Sequence, residues 1–119
     1  MKVQDLHIWK KSVDLVEEIY KITNSFPESE KFGLVSQMRR CAISIPSNIS
    51  EGYGRKSQGE LLQFLGIARG SLCELETQIL IAERLKFLKN KEGFLEKITE
   101  LHKMLHSFSH AIHKRNQSS

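Results

Sequence analysis

Four of the five histidines in this 119-residue sequence, His102, His106, His110 and His113, recur at spacings of four, four and three. On a helix that spacing puts all four imidazoles on one flank. An i,i+4 pair can bring two rings to one divalent metal. The row lacks the glutamate that a HExxH zinc-protease motif sets between its histidines, and no Cys or Asp joins it. His102, His106 and His110 are therefore the only metal candidates, and the simpler reading is a solvated flank or a subunit contact. The expectation is no metal and no cofactor.

Polar side chains gather in a second place. Gln37, Arg40, Ser44, Asn48, Glu51 and Arg55 share one helical face, and Ser71, Glu74 and Gln78 form a comparable row later in the chain. Arg40 and Glu51 stand three turns apart, too far to pair directly. No nucleophile–base pair can be assigned by spacing. A hydrogen-bond network or polar subunit contact that sets register is the expected role, and the chain is not expected to be an enzyme. Gly52-Tyr53-Gly54-Arg55-Lys56-Ser57 follows a helix and lacks the GxxxxGK[ST] spacing, so it reads as a helix stop and turn.

The charge balance is mildly basic: 18 Lys and Arg against 14 Asp and Glu, with a pI near 9.2. Lys10, Lys11, Arg39, Arg40, Arg55, Lys56 and Arg69 are the candidates for contact with a phosphate backbone. They are dispersed, and acids dilute them. In a closed ring, symmetry would repeat each small cluster and let the copies add into one RNA- or DNA-binding surface. Cys41 and Cys73 lie among apolar neighbours with no metal-ligand spacing, so both read as buried thiols in a reducing compartment.

These residues must be carried by helices. Hydrophobic residues at 39%, charged residues at 27%, two prolines and seven glycines describe a single all-α globular domain. No apolar run nears the ~18 residues of a membrane span, and no signal-like apolar stretch opens the chain, so a cytoplasmic protein is expected. The pattern predicts helices over about 6–25, 31–53, 57–87 and 92–113, with a frayed tail over 114–119, joined by short turns as an antiparallel up-down-up-down bundle. Glu60 follows Ser57 as in a capping box. Pro46 lies inside the second helix, and the apolar phase continues across it from Ile45 to Ile49, which predicts a kinked helix rather than two.

Three helices carry one clear apolar stripe each, for example Phe94, Ile98, Leu101, Leu105, Phe108 and Ile112 in the fourth. The first carries two: Leu6, Trp9, Val13, Val16 and Tyr20, and beside it Ile8, Leu15, Ile19 and Ile22. The third adds Leu62, Cys73 and Leu80 on one line and Ile67, Ile81 and Leu85 on another. Surplus apolar rows on a small soluble domain mark a partner surface. Ile8, Leu15, Ile19, Ile22, Leu62 and Leu80 are assigned to an interface between copies of the chain.

Several stretches are also familiar. Asp5-Leu6-His7-Ile8-Trp9-Lys10-Lys11, Phe26-Pro27-Glu28, Ser36-Gln37-Met38-Arg39-Arg40 and, above all, Ser44-Ile45-Pro46-Ser47-Asn48-Ile49-Ser50-Glu51-Gly52 resemble the four-helix-bundle proteins encoded in intervening sequences of 23S ribosomal RNA genes. Phe64 to Glu76, with Ile67-Ala68-Arg69-Gly70-Ser71, continues the match, and Ser50 stands where the family usually has alanine. The resemblance implies a bacterial cytosolic homopentamer. Its architecture would be related to the accessory proteins of diversity-generating retroelements, basic rings that bind nucleic acid and a reverse transcriptase. That leaves a protein-interaction scaffold, such as a reverse-transcriptase accessory, as one alternative to an RNA-binding bundle, and a metal-binding or enzymatic bundle using the histidine row or the Arg40/Glu51 face as another. The resemblance carries no catalytic residue.

Overall fold

The structure, a computed structural model, describes the backbone of residues 1–118 and the side chains of residues 1–115. Four helices form the described chain: α1 (His7–Thr23), α2 (Leu34–Tyr53), α3 (Gln58–Arg84) and α4 (Glu92–Ser118). No strand occurs among the described residues. Short 3-10 turns at Val3–Asp5 and Glu28–Glu30 lead into α1 and α2. The helices make an elongated four-helix bundle of 52 × 22 × 20 Å. Cross-helix pairs run in opposite senses at the α1/α2 and α1/α4 contacts. Tyr20 meets Arg39 while Trp9 and Val13 share a cleft with Ser50. Ser44 meets Ser71, and Cys73 meets His102. Lys11 pairs with Glu100 and Glu18 with Lys97.

Local chemistry accounts for most helix ends. Ser57 Oγ accepts the Glu60 N–H at 3.1 Å and starts α3, as the sequence signal requires. Phe26-Pro27 follows α1, which stops at Thr23, two residues short of the expected end. The third helix was expected to reach Phe87, but α3 stops at Arg84. Lys86 takes a left-handed φ of 66°, its N–H bonds to Glu83 O, and Phe87 N–H bonds to Ala82 O, which is a Schellman closure. Lysine rather than glycine holds the left-handed position, so the usual sequence signal is missing. Phe87 then turns inward and packs on Phe26 with ring centroids 5.7 Å apart. The expected end at His113 is also corrected: helical backbone continues to Ser118, because no Gly or Pro interrupts it and Lys114 and Arg115 suit a helix C-terminus. Ser119, the last residue of the expected tail, lies outside the described residues.

The core is assembled from the predicted stripes. Met38, Ala42, Ile45 and Ile49 of α2 meet Leu65, Ala68, Leu72, Leu75 and Ile79 of α3, with Ile98, Leu101 and Leu105 of α4 closing the far side. α2 is one continuous helix through Pro46, whose ring is buried. Near its end α2 approaches α3 so closely that Gly52 has no room for a side chain. A Cβ there would sit 2.8 Å from Phe64 Cβ and 3.1 Å from Leu61 Cδ1.

Gly52→Ala therefore sets two effects against each other. Alanine gains up to about 1 kcal/mol of helix propensity, whereas forcing α2 from α3 costs about 1–3 kcal/mol. Phe64 Cβ is anchored to its backbone and cannot swing aside, so the clash wins. Urea unfolding should show a lowered midpoint for Gly52→Ala; a raised midpoint would mean the two helices are not in close contact there.

Candidate functional site

The polar face of α2 and the polar row of α3 meet in a seam. Ser44 Oγ and Ser71 Oγ are 2.8 Å apart, Cys41 Sγ–H donates to Ser71 O at 2.9 Å, and Asn48 Nδ2 donates to Ser44 O at 2.7 Å and to Ser44 Oγ at 3.0 Å. Gln37, Arg40 and Glu74 line the same shallow cleft. Arg40 and Glu51 are not brought together: Glu51 pairs with Arg55, one turn on, at 3.5 Å. Gln78, the next residue on the α3 row, is buried, and its Oε1 has no hydrogen-bond partner. The seam ties two helices through hydroxyl, thiol and amide groups, which fixes their register.

Among the described residues Cys41 is the one titratable group clearly perturbed. Burial pushes its thiol up to about 12, the neighbouring Glu74 carboxylate adds to the rise by charge and hydrogen bonding, and a backbone hydrogen bond at Leu75 opposes it. A thiol held protonated is neither a nucleophile nor a metal ligand at neutral pH. Cys73 corrects the expectation of two buried thiols, because it is exposed on the α3/α4 flank. Its row on α3 was apolar in the sequence, but that row faces outward beside α4. Cys73 Sγ lies 4.0 Å from His102 Nε2.

The histidine row does form along α4. His102 is half-buried, His106, His110 and His113 are exposed, and the rings of His106 and His110 stack with centroids 6.4 Å apart. Among the described residues no group of three His, Cys, Asp or Glu converges as a metal would require.

The basic candidates are distributed over α1, α2, the turn before α3, and α3, and they are not equivalent. Lys10, Arg40, Lys56 and Arg69 are exposed. Lys11 is engaged with Glu100 at 3.4 Å. Arg55 lies over the Phe64 ring at 4.8 Å as well as beside Glu51. Arg39 has a structural task that spacing did not reveal. Its Nε donates to Thr23 Oγ1 at 2.9 Å, its Nη2 donates to Asn24 Oδ1 and Tyr20 O, and its guanidinium stacks 4.5 Å over the Tyr20 ring. It thereby satisfies the C-terminal end of α1, where a cation is also favoured by the helix dipole.

The assigned subunit-interface row on α1 is corrected. Ile8, Leu15 and Ile19 are 5%, 2% and 0% exposed, and Ile22 packs against the same core. The other row, Leu6, Trp9, Val13, Val16 and Tyr20, is the one left partly open along the α1/α2 flank. Both rows are apolar, and only packing against α2 and α4 decides which turns inward. On α3, Leu62 is half-buried and Leu80 exposed, while Ile67, Ile81 and Leu85 are 46%, 43% and 53% exposed. Phe32, outside every predicted stripe, and Ile43 on α2 are exposed too.

A helical bundle with a polar α2/α3 seam and apolar outer rows is the class of protein defined here. The family model described as "23S rRNA-intervening sequence protein" matches residues 4–107, and the chain belongs to that family. A crystal structure from Bacteroides thetaiotaomicron, described as a protein of unknown function from the S23 ribosomal protein family, is similar to it: 25% identity, TM-score 0.76, covering 86% of this chain and 97% of that one. No curated protein matches the chain.

The two thiols should separate in alkylation. At pH 8 iodoacetamide should label Cys73 in the folded protein and spare Cys41 until denaturant is added, read by mass spectrometry; labelling of both in buffer would contradict the buried seam. The raised pKa also has a sign in stability. Cys41 contributes fully below its ordinary 9.0 and loses that contribution as pH rises toward about 12, because the unfolded chain gives up the proton first. Replacing Cys41 by alanine should therefore flatten that part of the alkaline unfolding curve.

Proposed function

We propose that the protein is a non-enzymatic, self-associating bundle, a ring of five copies acting in the bacterial cytoplasm, whose repeated basic surface contacts structured RNA. The observation that carries the reading is the apolar row Ile67, Ile81 and Leu85 on α3, about half exposed on one helical face. Four helices leave no further layer to cover it, and such rows mark a partner surface. A second copy suits the charges of that flank. Arg40 and Glu74 line one cleft, and neither forms an ion pair among the described residues, so each can meet the opposite charge of a neighbouring copy. In the same reading, the missing Pro46 N–H and its crowding of the Ala42 carbonyl bend α2.

The RNA part is supported by the family's link to 23S ribosomal RNA and by Lys10, Lys56 and Arg69, exposed cations that a ring would repeat. Lys11 and Arg55 remain in the proposed surface, at the cost of exchanging an exposed ion pair for a phosphate, which at such sites is worth about 1 kcal/mol or less.

Light scattering should give a mass near 68 kDa, roughly five copies of the 13.7 kDa chain. Ile81→Lys with Leu85→Lys, both at exposed positions, should release subunits while circular dichroism stays helical. A wild-type particle of one chain overturns the reading. In gel shifts with 23S RNA fragments, Lys56→Ala with Arg69→Ala should weaken binding at unchanged stability, and binding should fall steeply with salt. Arg39→Ala should instead destabilise the fold by about 1.5–3 kcal/mol, the range for hydrogen bonds to a charged group. No RNA shift at low salt removes the RNA contact.

A further inference from the structure

At one end of the bundle the turn from α1 to α2 and the turn from α3 to α4 lie side by side, joined by the Phe26 and Phe87 rings. Packing of the chain does not account for two side chains there. Phe32 is 90% exposed, belongs to no apolar helical row, and follows the charged run Glu28-Ser29-Glu30-Lys31. The Lys31 ammonium stands over one face of its ring, 5.6 Å from the centroid, and the other face is open to solvent. Lys86 holds its left-handed φ of 66°, a conformation that glycine takes at lower cost. Its exposed ammonium forms no ion pair among the described residues.

The surrounding charges favour a polyanion. Lys31, Arg84, Lys86 and Lys89 are all exposed, and none is in an ion pair among the described residues. Of the acids in the same two turns, Glu30 accepts the Leu34 N–H and Glu83 holds Lys91, which leaves Glu28 and Glu92 against those cations.

We propose that this end of the bundle binds an unpaired stretch of RNA, with a base stacked on Phe32 and phosphates held by Lys31 and Lys86. The inference rests on the RNA contact proposed above and gives it a mode of recognition. An exposed ring bordered by cations matches unpaired nucleotides, since every base has a π-face and every nucleotide a phosphate. Bases inside a paired helix are stacked on one another and offer a ring no face. A protein partner would call for an anchor within a well-packed apolar patch, whereas Phe32 projects from a charged turn. Scale agrees as well. The bundle is 22 × 20 Å across, room for about six nucleotides at about 3.4 Å per step. Lys56, in the turn between α2 and α3, is at the opposite end, so the two regions can be altered separately.

The test uses the whole chain and a fluorescein-labelled RNA hairpin with about seven unpaired loop nucleotides, enough to cross that end. The same stem closed into a continuous duplex is the comparison. In fluorescence anisotropy the hairpin should bind more tightly than the duplex. Phe32→Ala should weaken hairpin binding about tenfold, a difference of about 1.4 kcal/mol, which is in the range for one stacked base. Duplex binding and the salt slope should not change, because the ring is uncharged. Phe32→Tyr should keep the affinity and Phe32→Leu should lose it, since stacking needs a ring. Phe32→Trp adds a second tryptophan to Trp9, and the hairpin but not the duplex should quench its fluorescence. Lys86→Gly should weaken binding and flatten the salt slope while raising the urea midpoint, opposite signs that a merely structural lysine does not give. Hairpin binding that ignores Phe32→Ala but falls with Lys56→Ala and Arg69→Ala overturns this inference and leaves the RNA reading intact. No binding of either RNA removes both. Full affinity in Phe32→Leu or in Lys86→Gly also overturns the inference. So does a changed particle mass in Phe32→Ala, because the ring then lies between copies of the chain.

Discussion

α2 and α3 lie so close that one position, Gly52, can have no side chain, and the same contact brings Ser44, Asn48 and Cys41 to Ser71. Much else depends on this approach. It sets the register in which Met38, Ile45 and Ile49 interleave with Leu65, Leu72 and Ile79, and so defines the wall against which α1 and α4 pack. Polar atoms in the seam add specificity that apolar packing alone lacks, because a shift of one turn would leave hydroxyl, thiol and amide groups unpaired. They also leave the seam's groups engaged with one another. Its thiol is held protonated by burial and by Glu74, and its hydroxyls are bonded to each other.

A second constraint is the number of layers. With only four helices, each has one direction that faces the core, and apolar residues on any other face remain at the surface. α1 resolves its two rows by burying Ile8, Leu15 and Ile19 and leaving Trp9, Val13 and Val16 half-covered beside α2. α3 has no such neighbour for Ile67, Ile81 and Leu85. The outer apolar surface is thus a consequence of helix count and not of a local defect in packing. The basic residues are subject to a similar constraint. Arg39 is committed to the end of α1, so a cation that looks free on a helical wheel is part of the fold.

Much of the architecture was legible in the residues. The stripes of α2, α3 and α4, the cap at Ser57 and the turn at Gly52 to Ser57 follow from local periodicity and capping chemistry, which act within a few residues. The polar rows were legible as rows, and the structure joins Ser44 to Ser71 across helices. What misled was equally physical. The left-handed Lys86 carries no glycine to announce the end of α3, and nothing after Gly93 stops α4 at His113. Cys73 sits on a line shared with Leu62 and Leu80, so composition suggested burial where the flank is open.

Sequence alone determined that this chain makes four helices, where most of them begin, and which family it belongs to, since each of these is written in short-range pattern and motif. Only the tertiary structure decided which apolar row of α1 turns inward, that Arg39 closes the end of α1, and that Gly52 faces Phe64 with no room for a side chain. The reason is that a helix's periodicity defines its faces relative to one another but not relative to its neighbours. That orientation is fixed by contacts between residues far apart in the chain, and no local signal encodes them.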